Sequence, residues 1–543
     1  MTRRLVPPLI LLLALVAGAC TNDSTSKASP GTTTGAGTTS GSALAATTTG
    51  PADLTKTLVG IEQGPRYQHS DWGYQVIDRQ TGEVLAQQAP ERLFDAGSTM
   101  KTFAVSTALE HMGGDTVFTT PVYKAGTQNG ATLDGNLVLV ASGDLSFGLR
   151  KQPDGSLQYE NLPQLDHSYA TVGLPGAVEP SGDPLSALDE LAASVKAAGI
   201  TQVNGDVVID DRLFEAIKWP DGLVAPMWVN ENLIDIQVTP GASAGAATTI
   251  DWRPKTASYS VTTEATTVDS KETTELKVEE TSPGRLVVKG KIAANQPTLV
   301  VSEIKDPSAF ARTAFIEALQ RAGVTVTAAP TGTNPSTLLP GKGSYQAADK
   351  LGEHTSANLA AYIKLIMKVS YNRGADLMTC LTAVKLGSTD CNDGLTAELK
   401  TATSLGVGKD TVFPFDGAGS DDQSRVSPPA LTTMYKNTLG TPYGQILYDA
   451  LPILGKDGTL ATTEANSPAA GKVRMKTGNR VAGNAAGQII VLGNSLAGYV
   501  EAKSGRQLVI MVAVSNVPIS TTAEFEQVTS DQAAMVVAVQ QAF

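Results

Sequence analysis

The sequence predicts an α+β fold, an antiparallel sheet with helices that is interrupted by a strand-rich insert. Three observations predict it. A hairpin pattern and a helix come first, a long stretch of short alternating runs follows, and helices, paired strands and a last helix close the chain. At 543 residues the chain has room for two or three compact units, and 41% hydrophobic against 17% charged residues is ordinary globular composition.

The opening hairpin spans 73–88, with Tyr74, Val76 and Ile77 before a Thr81-Gly82 turn and Val84 and Leu85 after it. Phe94-Asp95-Ala96-Gly97-Ser98 then leads into a helical pattern carried by Phe103, Val105, Ala108, Leu109 and Met112, which Gly113-Gly114 ends. Ser98 is therefore expected at or near a helix N-terminus. Further on, strands are expected at 136–140, 203–209, 258–262 and 285–289. A helix is expected to start at Asp306-Pro307 and to bury Phe310, Ala314, Phe315, Ala318 and Leu319. Helical pattern returns at 359–369, and strands at 495–502 and 507–515 lead into a final helix expected from Ser530 to Phe543.

The first twenty residues read as a signal peptide. Arg3 and Arg4 are its basic start, 9–16 its apolar run, and Ala17-Gly18-Ala19 its small residues before Cys20. Two readings stand side by side: cleavage after Ala19, or lipoprotein processing that leaves a lipid on Cys20. The segment resembles a bacterial lipobox, although Ala17 stands where that motif usually has Leu. Lipidation is the expectation, because Cys20 has no partner once the other two cysteines are paired. From 21 to 52 the chain is mostly Ser, Thr, Gly and Ala, too poor in large apolar groups to offset ordering entropy, and reads as a tether. An exported chain works in an oxidising compartment, so Cys380 and Cys391 are expected to form a disulfide. No metal site is expected, since two cysteines without clustered histidines do not hold zinc. The net charge of −12 argues against a nucleic-acid partner, which would need a basic face.

Three short elements carry the chemistry: Ser98-Thr99-Met100-Lys101, Ser370-Tyr371-Asn372 and Lys476-Thr477-Gly478. Residues i and i+3 share a helix face, so the Lys101 amine can approach the Ser98 hydroxyl. A serine is a weak nucleophile until a neighbour takes its proton, and a lysine does so only when it is partly neutral. Burial or a second cation, with Lys476 as the candidate, would lower the Lys101 pKa. Each element alone is weak evidence, since Ser24 to Lys27 and Ser302 to Lys305 are also S-x-x-K and Ser356-Ala357-Asn358 is also S-x-N. The ordered triple is far more specific. A competing G-x-S-x-G, Gly241-Ala242-Ser243-Ala244-Gly245, is expected to be a glycine-rich loop, because Pro240 precedes it and strand pattern follows it. Four histidines in the whole chain also disfavour a histidine-based mechanism.

The triple is the S-x-x-K, S-x-N, K-T-G set of penicillin-binding proteins and serine β-lactamases. With Ala141-Ser142-Gly143-Asp144, Asp416-Gly417-Ala418-Gly419 and Gly455-Lys456-Asp457-Gly458 added, the chain from residue 54 onward resembles the low-molecular-mass D-alanyl-D-alanine carboxypeptidase/endopeptidase family. These Gly-Asp turns read as structural punctuation. The resemblance implies a penicillin-binding-protein/β-lactamase-like catalytic domain made of 53–117 and 332–543, with 118–331 inserted into it. It also implies an activity: a cofactor-free serine peptidase acting on peptidoglycan peptide stems through an acyl-enzyme, inhibited by β-lactams and placed at the outer face of the membrane by its anchor, or otherwise secreted or periplasmic.

The implied roles follow residue by residue. Ser98 attacks the penultimate D-alanine carbonyl, Lys101 accepts its proton, Ser370 relays a proton to the leaving amine, and Asn372 binds the substrate amide and steadies Lys101. Lys476 supplies positive potential, and Thr477 and Gly478, with Asn479, form the substrate-binding strand. The amides of Ser98 and Asn479 make the oxyanion hole, whose donors are worth about 3 kcal/mol each. Three departures stand out: Asn479 where the family usually has Thr or Ser, a longer Gly- and Ala-rich segment over 479–494, and Tyr371 in place of a small polar residue. A serine β-lactamase is the nearest alternative, but Glu398 and Glu464 are the only glutamates between S-x-N and K-T-G, and neither sits in an E-x-x-L-N setting. A catalytically impaired wall-binding scaffold is the other.

Two tests follow from the cysteines. Cys20→Ala should release the protein from membranes into the soluble fraction; wild type recovered soluble with a free Cys20 or Thr21 N-terminus would contradict the anchor. Peptide mapping without reduction should find Cys380 joined to Cys391, and two alkylatable thiols would refute the pairing.

Overall fold

The computed structural model describes residues 47–48, 51–172 and 176–543. The expected signal peptide, Cys20 and most of the tether lie outside the described residues. One part of the tether does not. Thr47–Thr48 pairs antiparallel with the Val84–Gln88 strand, and α1 (Ala52–Glu62) starts inside the expected tether.

The central sheet has six strands, all antiparallel to their neighbours. Their order is Thr47–Thr48, Val84–Gln88, Asp71–Asp78, Gln507–Ile519, Ile489–Glu501 and Val473–Gly483. The first hairpin thus joins the last two strands at Asp71–Asp78, and both ends of the chain build one sheet. Alternation sorts its side chains to two faces. Val76, Leu496 and Ile510 pack on one side with Leu54 and Leu58 of α1 and with Phe525, Val528 and Val536 of the C-terminal helix. Ile77, Ala497 and Met511 face the other side, which is covered by α2 (Lys101–Met112) and by the helices within 359–450.

Between these parts lies a second sheet. Val117–Asn129 and Thr132–Val140 form its central hairpin, flanked by Lys350–Asn358 on one edge and by Gln202–Val203 and Val207–Asp210 on the other. Helices α3 (Ser186–Ala197) and α4 (Pro307–Arg321) pack on it through Leu188, Leu191, Val195, Phe315 and Leu319. Asp306 caps α4 as expected, accepting from the Ala309 amide at 2.9 Å. The expected strand at 203–209 is two strands. Between them the Asp206 amide donates to the Asn136 side-chain oxygen at 2.9 Å, a side-chain bond where the backbone ladder is interrupted.

Lys350–Asn358 runs directly into α5 (Leu359–Val369), and α6 (Asn372–Lys385), α7 (Asn392–Ser404), α8 (Pro428–Thr438) and α9 (Gly444–Ala450) follow. The Cys380 and Cys391 sulfurs lie 1.98 Å apart between α6 and α7. The last helix, α10, covers Thr522–Ala542 and so begins eight residues before the expected Ser530. Thr521 accepts from the Glu524 amide and Glu524 accepts from the Ser520 amide. The Thr521-x-x-Glu524 pattern is a helix-start signal that the apolar periodicity alone did not register. Gly241 to Gly245 joins the Leu233–Thr239 and Thr249–Arg253 strands with Ser243 exposed, so no nucleophile elbow forms. Among the described residues no helix is long and apolar enough to cross a membrane.

Candidate active site

The three motifs meet in one cleft of about 440 Å³. Ser98 sits in a 3-10 turn, Gly97–Met100, that runs without a break into α2, where Lys101 is the first residue. Ser370 and Asn372 lie on either side of the α5–α6 junction. Lys476, Thr477 and Gly478 lie on the edge strand of the central sheet. Two glycines let these parts touch. A Cβ on Gly97, whose φ is +47°, would stand 2.8 Å from the Asn479 amide nitrogen, and one on Gly478 would stand 2.5 Å from the Ala96 carbonyl. The Asn479 amide is thereby held beside the Ser98 turn.

The Lys101 amine is the hub. It is fully buried and lies 2.8 Å from the Ser98 hydroxyl, 2.6 Å from the Asn372 side-chain oxygen and 2.9 Å from the Ala418 carbonyl. Burial brings its pKa down to about 8, against the pull of Asp221, Asp376 and Asp416 upward. Lys476 is lowered well below its ordinary value by burial first and then by repulsion from Lys101, a repulsion that acts on both amines. Lys476 donates to the Ser370 hydroxyl at 2.8 Å and to the Thr477 carbonyl at 2.7 Å. Thr477 lines the cleft with its hydroxyl 3.1 Å from that of Thr459, and Asn479 lines it as an exposed residue.

Several contributors were not singled out in the sequence. Asp221, at the tip of the hairpin formed by Ile217–Trp219 and Gly222–Val224, accepts from the Asn372 amide at 2.8 Å and so fixes which end of that amide faces Lys101. Trp219-Pro220-Asp221-Gly222 marks a turn in the sequence, but nothing there says it would reach the cleft. Tyr169 donates to the Ser370 carbonyl. Asp416-Gly417-Ala418-Gly419, read from sequence as punctuation, does more: the Asp416 carboxylate accepts from the amides of Gly419, Ser420 and Asp421, and the turn so held aims the Ala418 carbonyl at Lys101.

The departures are also placed. Tyr371 is buried in the core and does not border the cleft, so it fills space under the α5–α6 junction. The long segment after Gly478 is a hairpin paired as far as Gly483 and Ile489, and its Arg480 and Val481 line the cleft wall with Glu526, Thr529 and Ser530 of α10. Glu398 is buried behind α6 and accepts from Thr379 at 2.7 Å, and Glu464 borders the cleft. Asp166, His167 and Glu231 are close enough to hold a metal by residue type. Their atoms are already engaged: Arg150 pairs with both carboxylates, and the two His167 nitrogens face Asp235 and Glu231.

Comparison with known proteins agrees with this geometry. A family model described as the D-Ala-D-Ala carboxypeptidase 3 (S13) family matches residues 54–541. The D-alanyl-D-alanine carboxypeptidase of Actinomadura sp. strain R39 is 25% identical over 456 residues, covering 78% of this chain and 76% of that protein. Carboxypeptidase DacB of Mycolicibacterium smegmatis is 30% identical over 229 residues, covering 41% of this chain and 45% of its own. In fold, the crystal structure of penicillin binding protein 4 from Haemophilus influenzae is similar, with a TM-score of 0.63 at 19% identity over 90% of this chain and 97% of that one. That protein has also been solved in complex with a β-lactam. A match over nearly the whole chain from 54 onward, with a serine and a lysine paired in the cleft, leads to one conclusion: the chain belongs to the D-Ala-D-Ala carboxypeptidase 3 (S13) family and is a serine-type D-Ala-D-Ala carboxypeptidase of the low-molecular-mass penicillin-binding kind.

Proposed function

We propose that Ser98, Lys101, Ser370, Asn372 and Lys476 carry out the reaction, on peptidoglycan peptide stems that end in a free carboxylate. The observation that carries this reading is the set of three contacts at the Lys101 amine. A neutral amine has two hydrogens and one lone pair. The Asn372 and Ala418 oxygens take the two hydrogens, at 2.6 and 2.9 Å, and the lone pair is left for the Ser98 hydroxyl proton at 2.8 Å. With a pKa of about 8, roughly one Lys101 in ten is neutral at pH 7.

Ser98 Oγ then bonds to the carbonyl carbon of the penultimate D-alanine as its proton passes to Lys101. The resulting oxyanion is met by the Ser98 and Asn479 amides. As the C–N bond breaks, Ser370 passes a proton to the leaving amine, replenished from Lys476 at 2.8 Å. Water releases the acyl group by the same path in reverse. Thr477 and Asn479 bind the terminal carboxylate, whose negative charge favours the positive form of Lys476 that burial opposes, and Gly478 gives room for the backbone. A β-lactam presents the same carbonyl and carboxylate and acylates the same serine, but its leaving amine stays tethered.

The reading extends to placement. A lipidated Cys20 would hold the enzyme at the outer face of the membrane, and the Cys380–Cys391 bond would tie α6, which carries Asn372, to α7. The hairpin wall at Arg480 and Val481 would narrow the choice of stems.

Penicillin is expected to label Ser98 and no other residue, read by peptide mass analysis. Lys101→Ala should slow labelling by a factor of roughly 100 or more, with the unfolding transition little changed. Lys101→Arg should not restore it, because guanidinium stays protonated. Near-normal labelling of either variant would place the base elsewhere.

A further inference from the structure

Ser370 is held in an unusual backbone conformation. It caps the C-terminal end of α5 with φ 60° and ψ 43°, a left-handed geometry that a serine seldom adopts unless its surroundings impose it. The conformation matters because it aims the Ser370 hydroxyl at Lys476, 2.8 Å away. A relaxed backbone would turn that hydroxyl off the line. The Ser370 carbonyl, past the last turn of α5, receives the Tyr169 hydroxyl proton.

Tyr169 comes from the inserted part of the chain and is itself firmly based. It rides on the 3-10 turn His167–Val172, and the residues at the start of that turn are locked by buried charge. Asp166 pairs with the Arg150 guanidinium at 2.6 Å. His167 is fixed between Asp235 at 2.8 Å and Glu231 at 2.9 Å. Burial works against the His167 charge, but these two carboxylates outweigh it and push its pKa up to about 10, so the cluster stays ion-paired at neutral pH. The same Glu231 reaches the motif from the far side, its carbonyl accepting from Arg373 at 2.6 Å, one residue beyond Asn372. Burial raises the Tyr169 pKa as well, so its hydroxyl remains a donor at working pH.

We propose that Tyr169 is a positioning residue: by holding the Ser370 carbonyl it keeps Ser370 in the left-handed conformation from which its hydroxyl delivers a proton to the leaving amine. Tyr169 also borders the cleft, and the proposed role runs through its bond to Ser370. The proposal rests on Ser370 being the proton relay, and it makes a distinction that simple loss of stability would not. An amide nitrogen must be protonated to leave. A thiolate leaves without a proton. Disturbing Ser370 should therefore slow amide substrates selectively.

The test compares kcat/KM on a D-alanyl-D-alanine peptide and on its thiolester analogue for wild type, Tyr169→Phe, Ser370→Ala and the double variant, with unfolding midpoints alongside. Tyr169→Phe should lose roughly tenfold or more on the amide and less than about twofold on the thiolester. Ser370→Ala should show the same selectivity at larger size, and adding Tyr169→Phe to it should cost the amide reaction nothing further. Equal loss on both substrates, no loss on either, or a further loss in the double variant would overturn the role of Tyr169 while leaving Ser370 as the relay. If Ser370→Ala itself slows both substrates equally, the relay reading fails, and the proposal with it.

Discussion

The proposed chemistry depends on one dry amine, that of Lys101. A lysine in water holds its proton through the whole physiological range and is useless as a base. In the proposed reaction Lys101 is usable because burial removes the water that would favour its charge. The same burial obliges the protein to satisfy each of its hydrogens, and it does so with two carbonyl oxygens from different parts of the chain, Asn372 and Ala418. Base strength and direction therefore come from one arrangement. The environment that frees the lone pair also points it at Ser98.

Much of the surrounding structure can be understood as holding that arrangement. The Asp416 turn fixes the Ala418 carbonyl, and Asp221 fixes the orientation of the Asn372 amide. Gly97 and Gly478 allow the serine turn and the edge strand to come within contact, which brings the Asn479 amide beside that turn, as the proposed oxyanion hole requires. Burial does not run to an apolar extreme. Asp221, Asp376 and Asp416 oppose it and keep the pKa near 8, where the amine still holds a proton part of the time and can give one back during deacylation. The chain between the first and last strands of the central sheet is part of this support, since Asp221 and Tyr169 both come from it.

The elements with strong local signals were legible in the sequence. The Asp306-Pro307 start of α4, the apolar face of α5 and the hairpin at 73–88 are set by capping and periodicity within a few residues. The five motif residues were legible because their order and the i to i+3 spacing are local facts too. What escaped was set by tertiary contact. The break between Val203 and Val207 goes with a side-chain contact to Asn136, and nothing near Asp221 or Tyr169 in the sequence says that these residues reach Asn372 and Ser370. The carboxylates that hold the Lys101 pKa up were also out of reach, because Asp221, Asp376 and Asp416 are spread over nearly 200 positions of chain and brought together only by the fold.

The most direct test is to titrate the Lys101 amine itself, by NMR of protein carrying lysine labelled with ¹³C at the ε-carbon, alongside the pH dependence of penicillin acylation. With Lys101 as the base, its amine should lose its proton with a midpoint near 8, and acylation of Ser98 should rise with pH through the same midpoint. A Lys101 that stays protonated to beyond about pH 10, in a protein that still acylates Ser98 at full rate at pH 7, would contradict that role.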